Sequence, residues 1–478
     1  MSSIPYPLDP MGSKLEPCFE LVVKPGILDS SLTYGFTPYW NAGGYCKVVD
    51  WGDGSNEGAV TSGALITHTY AVAGTYIIRI KADCYKINFG VSPYNTLLYD
   101  ANGDWDAMGN ITIGDNMFAN CINAVFNFSE LPKGMTSAPY MFVNCRKAKL
   151  PLTSLPDVLT NGNNMFNGCR NATLPLTSLP DGLTNGSVMF ADCTNATLPL
   201  TSLPDGLTRA DSMFYRCTNA TLPLTSLPDG LTNGSSMFAD CTNATLSLTS
   251  LPDGLTSGSY MFSGCRNATL PLTSLPDGLT NATGMFQNCI NATLPLTSLP
   301  DGLTDGSNMF YNCTKATLPL TSLPDGLTRA VSMFRNCTNA TLPLTSLPNG
   351  LTNANYMFMN CQKATLPLTS LPDGLIEATH MFSGCDNAQL KLTSLPDGIT
   401  RVDYMFDCCK KAVINLDDLT ANAPEGGWTG VTSIGNMFYN AGSGNSPGTV
   451  TGSRSAFLSK LPNVTGTTNA FYGTNTTE

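Results

Sequence analysis

A Met-Phe pair recurs at Met117, Met141, Met165, Met189, Met213, Met237, Met261, Met285, Met309, Met333, Met357, Met381 and Met405, thirteen copies with every step equal to 24 residues. Each pair is followed by one cysteine in fixed register, from Cys121 to Cys409. A period this short cannot bury its own apolar side chains, so one unit is stable only when a neighbour stacks on it and the two share a continuous core. The chain is therefore expected to build a solenoid, with like residue over like residue along its length.

The copy from Asn171 to Cys193, NATLPLTSLPDGLTNGSVMFADC, shows what one coil must contain. Leu174 and Leu176 alternate as a half-buried strand does, leaving Thr173, Pro175 and Thr177 on the other face. Leu179 to Gly182 reads as a type I turn, with Pro second and Gly fourth. Val158 replaces that glycine in one coil, which such a turn tolerates. A proline in nearly every coil, such as Pro151, Pro175 and Pro199, supplies no N–H to a ladder, so short parallel bridges are expected in place of long strands. The stretch Ser187 to Cys193 has no clear period and is expected to form a helical or 3₁₀ turn.

The pattern L-x-L-x-x-L-P-x-x-L-T-x-x-x-x-M-F-x-x-C resembles the BspA-like class of leucine-rich repeats, found in surface proteins of bacteria and some protists. It departs from that class in its uniform 24-residue length and in Met-Phe where Ala-Phe is common. The resemblance covers residues 111 to 478 and implies adhesion or scaffolding, with no particular ligand.

Residues 17 to 90 differ in character. Glu20 to Lys24, Tyr45 to Trp51 and Thr67 to Ile80 show β-branched and aromatic alternation, with turns at Gly52-Asp53-Gly54 and Ala73-Gly74. VVDWGDGS at Val48 to Ser55 and HTYAVAGTYIIRI at His68 to Ile80 resemble the PKD-like domain, an Ig-like β-sandwich of extracellular and phage proteins. The resemblance implies that Asp53 and Gly54 close a hairpin with His68 and Tyr70 packed near it. Cys46 and Cys84 fall on expected strands, and a bridge or two thiols are both compatible with them.

The expected fold is thus mainly β, an N-terminal Ig-like β-sandwich followed by an elongated leucine-rich-repeat solenoid. Its divisions are an arm at 1–16, the PKD-like sandwich at 17–90, a connector and cap at 91–110, the regular array at 111–411, and irregular coils with a cap at 412–478. In that last stretch Met437-Phe438 and Ala470-Phe471 follow at steps of 32 and 33 residues, as atypical closing repeats do, with a flank loop at 441–453.

Composition excludes several classes. Only 12% of residues are charged and two are histidines, a poor supply for acid–base chemistry, and no nucleophile with a base, paired carboxylates or phosphate loop is apparent. No enzymatic activity and no cofactor are expected. A formal charge of −11 speaks against nucleic acid, whose phosphates need clustered Lys and Arg. No apolar run reaches membrane-spanning length, and Met1 to Gly12 lacks the basic start and apolar core of a signal peptide. The array cysteines lie in one register with parallel Cβ vectors about 4.8 Å apart, beyond disulfide range, and are expected to be buried thiols. They lack the second Cys or His of a zinc site.

Asp100, Asn102, Asp104 and Asp106 alternate like a calcium loop, but the glycine is misplaced and Ile111 stands at the closing position, so a solvated turn is expected. The aspartates at Asp157, Asp181, Asp205, Asp229, Asp253, Asp277, Asp301, Asp325, Asp373 and Asp397 read as turn chemistry, with a cation-binding stripe as the alternative. The column Asn171, Asn195, Asn219, Asn243, Asn267, Asn291, Asn339 and Asn387 is expected to form an amide ladder. The same letters also permit N-glycosylation. Thr173, Pro175 and Thr177 resemble the hydroxyl face of ice-binding solenoids, but the proline spoils the spacing.

Variation concentrates between Leu-Thr and Met-Phe, and just before the cysteine. Tyr and Arg there are candidate recognition residues: Arg209, Tyr215, Arg216, Tyr260, Tyr311, Arg335, Tyr356 and Tyr404. The functional expectation is a structural and adhesion protein, first a bacteriophage fibre or decoration. It would attach to other virion or surface proteins through its N-terminal region and bind a host-surface glycan or protein. A bacterial surface adhesin whose export signal is missing from this sequence is the second expectation, and an intracellular scaffold the third.

Overall fold

The computed structural model describes residues 17–58, 60–195, 197–219, 221–243, 245–246, 248–267, 270–291, 294–443 and 450–478. The arm expected at 1–16 and residues 444–449 of the flank loop expected at 441–453 lie outside the described residues. The chain divides into two units, residues 1–207 with 217–221, and residues 208–216 with 222–478.

The first unit begins with eight strands: β1 (Phe19–Val23), β2 (Thr33–Tyr39), β3 (Tyr45–Asp50), β4 (Ile66–Thr69), β5 (Tyr76–Asp83), β6 (Lys86–Asn88), β7 (Leu98–Gly103) and β8 (Val125–Phe126). They form a five-stranded sheet in the order β3-β5-β1-β7-β8 and a three-stranded sheet in the order β4-β2-β6. Alternation decides which side chains point inward: Phe19, Leu21 and Val23 of β1 and Ile78, Ile80 and Ala82 of β5 are buried, as a period of two requires. Aromatic rings close the space between the sheets, with Phe36 of β2 lying 5.4 Å from Phe89 and 6.1 Å from Trp51, and Phe19 of β1 5.8 Å from Phe89. Strand β2, TYGFTPY, is hard to read because it contains Gly and Pro. The structure explains the glycine, since a Cβ at Gly35 would stand 2.7 Å from the Ile66 carbonyl oxygen on β4. The stretch expected as a connector carries β7, which pairs antiparallel with β1 from Phe19↔Gly103 onward and parallel with β8.

The coils follow. Within each unit, neighbouring coils are joined by short parallel bridges, such as Ser137↔Asn161 and Lys149↔Thr173 between one pair and Asn161↔Asn185 and Thr173↔Thr197 between the next. The backbone there alternates its donors. The N–H groups of Gly162, Asn164, Phe166 and Gly168 donate to carbonyls of the next coil at Asn185, Ser187, Met189 and Ala191, over 2.8 to 3.0 Å. Between them Met165, Asn167 and Cys169 donate back within their own coil to Gly162, Asn164 and Phe166. This chain of linked i→i+3 turns replaces the helical or 3₁₀ turn expected for Ser187 to Cys193. Its cause is visible in the dihedrals: the residue before Met and the residue before Cys both have positive φ, 59° at Val188 and 56° at Asp192. A left-handed residue every fourth position breaks any helix before it closes a second turn.

The turn at the Leu-Pro-Asp-Gly run also differs from expectation by one residue. Leu183 N–H donates to the Pro180 carbonyl at 3.0 Å, so the turn spans Pro180 to Leu183, with Asp181 and Gly182 at its centre. Leu179 and Pro180 are buried while Asp181 and Gly182 are exposed. Burying the proline ring as part of the core moves the corner past it.

Inside the coils, identical side chains stack. Phe89, Phe118, Phe142, Phe166 and Phe190 form a continuous series in the first unit with ring centroids 5.4 to 5.6 Å apart. In the second unit the series runs from Phe214 through Phe334 and Phe358 to Phe406 and Phe438. The cysteines form a second inner column, and their role is specific. The Cys169 thiol donates to the Phe142 carbonyl at 3.1 Å and Cys337 to Phe310 at 2.9 Å. The same Phe142 oxygen also accepts the Cys145 backbone N–H. Both lone pairs of a buried carbonyl are thereby used, a reason for a small side chain with a weak donor at this position.

The second unit repeats this plan and then loosens. Coils at Met437 and Ala470 remain on the ladder, since Phe406 N–H donates to Met437 O and Phe438 N–H to Ala470 O, both at 2.9 Å. The inserted residues form two short helices, α1 (Leu416–Ala421) and α2 (Arg454–Ser459), capped by Asn415 and Ser453. Ile414–Asn415 pairs in parallel with Val450–Thr451 beside them. Strands, bridges and turns dominate throughout. The chain is a mainly β repeat protein.

Candidate recognition face

Most side chains of the two left-handed columns are half-buried or exposed, Asn164 and Ser332 being buried. In the second unit, four of the eight candidate residues come together beside these columns, Tyr356 and Tyr404 from the position before Met and Tyr311 and Arg335 from the position after Phe. The Arg335 guanidinium carbon lies 5.6 Å from the Tyr311 ring centroid and 5.2 Å from that of Tyr356. The Tyr356 ring stacks on His380 at 5.0 Å, and His380 on Tyr404 at 4.3 Å, with interplanar angles of 14° and 10°. Tyr311, Arg335, Tyr356, His380 and Tyr404 thus form one strip across five successive coils, half-buried except for the exposed Tyr404.

The backbone explains the order. Tyr356, His380 and Tyr404 each precede a Met and have φ of 60°, 55° and 56°, so equivalent side chains leave successive coils in the same direction. His380 was not among the sequence candidates. It could have been, because it stands 24 residues from both Tyr356 and Tyr404.

The other candidates lie elsewhere in the same unit. Tyr260 occupies the column position before Met261, and its ring covers Gly284 so closely that a Cβ there would be 2.5 Å from Tyr260 Cε1. Arg216 lies 5.6 Å from the Tyr215 ring. Arg209 is exposed, and its backbone bridges to Asn233.

The strip's electrostatics are set by partial burial. Burial pushes the His380 imidazole below its ordinary pKa, Asp407 opposes that shift, and Arg335 adds to it, so the ring is neutral at pH 7. His380 Nδ1 and Arg335 Nε are both buried without a hydrogen-bond partner among the described residues, which is uncommon for native polar atoms. The Tyr356, His380 and Tyr404 rings cover one another's faces, and the strip reaches solvent chiefly at Tyr404. Such a surface can recognise a ligand.

The remaining sequence-level sites have structural uses. Asp100 accepts from Asn127 Nδ2 at 2.6 Å, and Asp104 caps a 3₁₀ turn by accepting the Asp106 N–H. Among the described residues no group of three His, Cys, Asp or Glu could hold a metal ion. His68 Nε2 lies 2.8 Å from Asp53 Oδ2 and stacks on Trp51. Asp53 is held down at about 2, chiefly by the Ser55 hydroxyl. The turn aspartates are exposed. The amide ladder is formed: Asn195 and Asn219 donate to Asn171 and Asn195, and Asn267 and Asn291 to Asn243 and Asn267, over 2.7 to 3.1 Å. Asn339, which has Lys315 in place of an asparagine beneath it, donates to the Thr314 carbonyl. All seventeen cysteines are thiols, Cys46 and Cys84 included, and burial pushes the Cys46 thiol up to about 12 and Cys84 higher still.

Stacked coils with inward Leu, Phe and Cys columns and a variable outward turn define a leucine-rich repeat protein. The chain belongs to the BspA type leucine-rich repeat family, whose model matches in six copies across residues 108–221, 174–293, 208–341 and 259–388, together more than half its length. No curated protein matches the chain. Two solved structures are similar to parts of it. The TLR13–ssRNA13 complex is 14% identical with a TM-score of 0.16, covering 64% of this chain and 50% of that one. The plant peptide hormone receptor RGFR1 in complex with RGF2 is 13% identical with a TM-score of 0.12, covering 72% and 84%. The chain spans half the length of the TLR13 chain, and similarity at these scores says nothing of ligand. No described helix is long and apolar enough to cross a membrane.

Proposed function

We propose that this chain is a non-enzymatic recognition and adhesion protein, displayed outside the cell or on a virion, that binds a host-surface glycan or protein through the outward turn face of its coils. The Tyr311–Arg335–Tyr356–His380–Tyr404 strip carries this reading. Its side chains project from a scaffold whose inner columns barely vary, the arrangement that aromatic and arginine-rich binding sites use. In this reading residues 17–90 are a PKD-like, Ig-like module that attaches the protein to its carrier, 91–110 leads into the array, 111–411 is the regular solenoid and 412–478 closes it. The carrier is a bacteriophage tail or capsid, favoured by the resemblance of VVDWGDGS and HTYAVAGTYIIRI to a domain used in phage proteins. A bacterial cell surface is the alternative carrier.

Two experiments test the two halves separately. Screening the protein against arrayed surface glycans and purified host-surface proteins should yield a ligand whose binding falls at least tenfold in Arg335→Ala and in His380→Asn. Unchanged binding in both variants would remove the strip from the account. Mass spectrometry of purified phage particles should contain the chain, and its presence in cell-envelope fractions instead would move it to the bacterial surface.

A further inference from the structure

Three of the described arginines are half-buried, and two of them find acceptors within the protein. Arg79 pairs with Glu20 at 3.1 Å and with Asp50 at 3.2 Å, and Arg454 Nε donates to the Thr476 hydroxyl. Arg335 has neither. Its guanidinium lies 5.6 Å and 5.2 Å from the Tyr311 and Tyr356 rings, it makes no ion pair among the described residues, and its Nε is buried without an acceptor. Ring faces answer a cation only in part, and a buried donor left unpaired carries a cost that a ligand's acceptor removes. The carboxylates of following coils are held by other donors: Glu377 accepts the Asn353 and Asn355 amides at 2.7 and 2.6 Å, Asp407 the Ser383 hydroxyl at 3.1 Å, and Asp403 the Ser433 hydroxyl and the Gly435 N–H. Arg335 Nε and His380 Nδ1 are the strip's buried unpartnered atoms. The two terminal guanidinium nitrogens, His380 Nε2 and the Tyr311 and Tyr356 hydroxyls make no hydrogen bond within the protein and stay at its surface.

We propose that the Arg335 guanidinium binds the carboxylate of an acidic glycan, a uronic acid or sialic acid residue, while His380 Nε2 and the tyrosine hydroxyls take the sugar's hydroxyl groups. This deepens the reading of the strip as the recognition face and rests on it. The planar fork of a guanidinium presents parallel N–H groups that match the two oxygens of a carboxylate, and here no protein carboxylate competes for them. The polar edges select a sugar over a protein surface. A protein partner draws on buried aromatic contact area at the centre of its interface, but the facing sides of the Tyr356, His380 and Tyr404 rings are already spent on one another.

The test titrates the whole chain with oligogalacturonate and with sialyllactose, beside the methyl ester of each and neutral lactose. At least one acid should bind, its ester should bind at least tenfold more weakly, and added salt should weaken the acid further. Binding of the first acid assigns a uronic-acid polymer and of the second a sialylated surface, and either supports the proposal. Arg335→Lys keeps the charge and loses the fork, so it should lose at least tenfold in affinity, while Arg329→Ala should bind as the unaltered chain does. An ester that binds as well as its acid, an Arg335→Lys variant of full affinity, or no binding by either acid at millimolar concentration would overturn the proposal. The ester comparison uses the unaltered chain and decides the matter even where a variant misfolds. If a neutral glycan or a protein binds instead and loses affinity in Arg335→Ala and His380→Asn, the strip is still the recognition face and only its acidic ligand is refuted. If every ligand found binds undiminished in both variants, both readings fall.

Discussion

The inner and outer sides of one coil obey different rules although they are made by adjacent residues. Inward, Met, Phe and Cys recur with almost no change because each must fit over its own copy. Phe334 lies 5.5 Å from Phe310 and 5.6 Å from Phe358, and every cysteine of the inner column, Cys121 to Cys409 at steps of 24 residues, is buried. Outward, the residue before Met is Val188, Ser212, Tyr356 or His380, and composition drifts freely. Backbone shape does not drift with it, since all four have φ between 54° and 60°. Side chains on that face are therefore variable in chemistry but constant in direction, as a display surface requires.

The difference is sharpest against alkali. Burial holds the thiols of Cys145, Cys169, Cys193, Cys265, Cys289, Cys337, Cys361 and Cys409 well above their ordinary value of 9.0. A raised folded pKa means that folding holds the proton more tightly, so the contribution is complete below the unfolded value and lost as pH climbs past it. Stability should be flat in this respect up to about pH 8.5 and then fall by about 1.4 kcal/mol per pH unit for each thiol in the cooperative unit. The loss continues toward about 12, where Cys313 and Cys385 titrate in the folded chain. Denaturant midpoints measured from pH 7 to 11 should drop with a slope equal to several protons, and a slope of one or less would contradict the burial of the column.

Next in size is the phenylalanine column. Phe334→Ala should cost about 3–5 kcal/mol in urea unfolding, the range for emptying a large buried aromatic site. A loss under 1 kcal/mol would mean that neighbouring rings are not in register. On the outer side, Val188→Asn should instead stabilise by about 0.5–1 kcal/mol, because a β-branched residue is poorly suited to a left-handed φ that asparagine accepts. Destabilisation by this change would refute the dihedral assignment. Smallest is Arg335→Ala, expected to lower stability by about 0.5–1 kcal/mol as a partly exposed cation–π contact. A larger loss would make Arg335 a core residue instead of a displayed one.

The inner side was legible in the sequence because repetition at a constant step identifies residues that meet themselves. Met189, Phe190 and Cys193 could be placed inward with no further information. The outer side was less so. The left-handed position before cysteine carried a signal that was available, since it is occupied by Asn, Asp or Gly in nearly every coil, with Arg216 and Cys408 as exceptions. Those are the residues that tolerate positive φ. The position before Met carried no such signal, because its occupants are chosen for what they present and the ladder forces their backbone. Strands β2 and β7 were hidden for a different reason. Gly35 and Pro38 in one, and Asp100, Asn102 and Gly103 in the other, belong to strands whose existence depends on distant partners at Ile66, Ile87 and Phe19.

Thiol accessibility in the native state tests the stacked-column account most directly. Treated with a maleimide at pH 7 and mapped by mass spectrometry, the protein should label fastest at the half-buried Cys18 and more slowly at Cys408, whose thiol is pushed up to about 11 by burial and Asp407, while the fifteen buried cysteines react only after denaturant is added. Rapid native labelling of several cysteines between Cys121 and Cys409, or disulfides joining neighbouring coils, would contradict it.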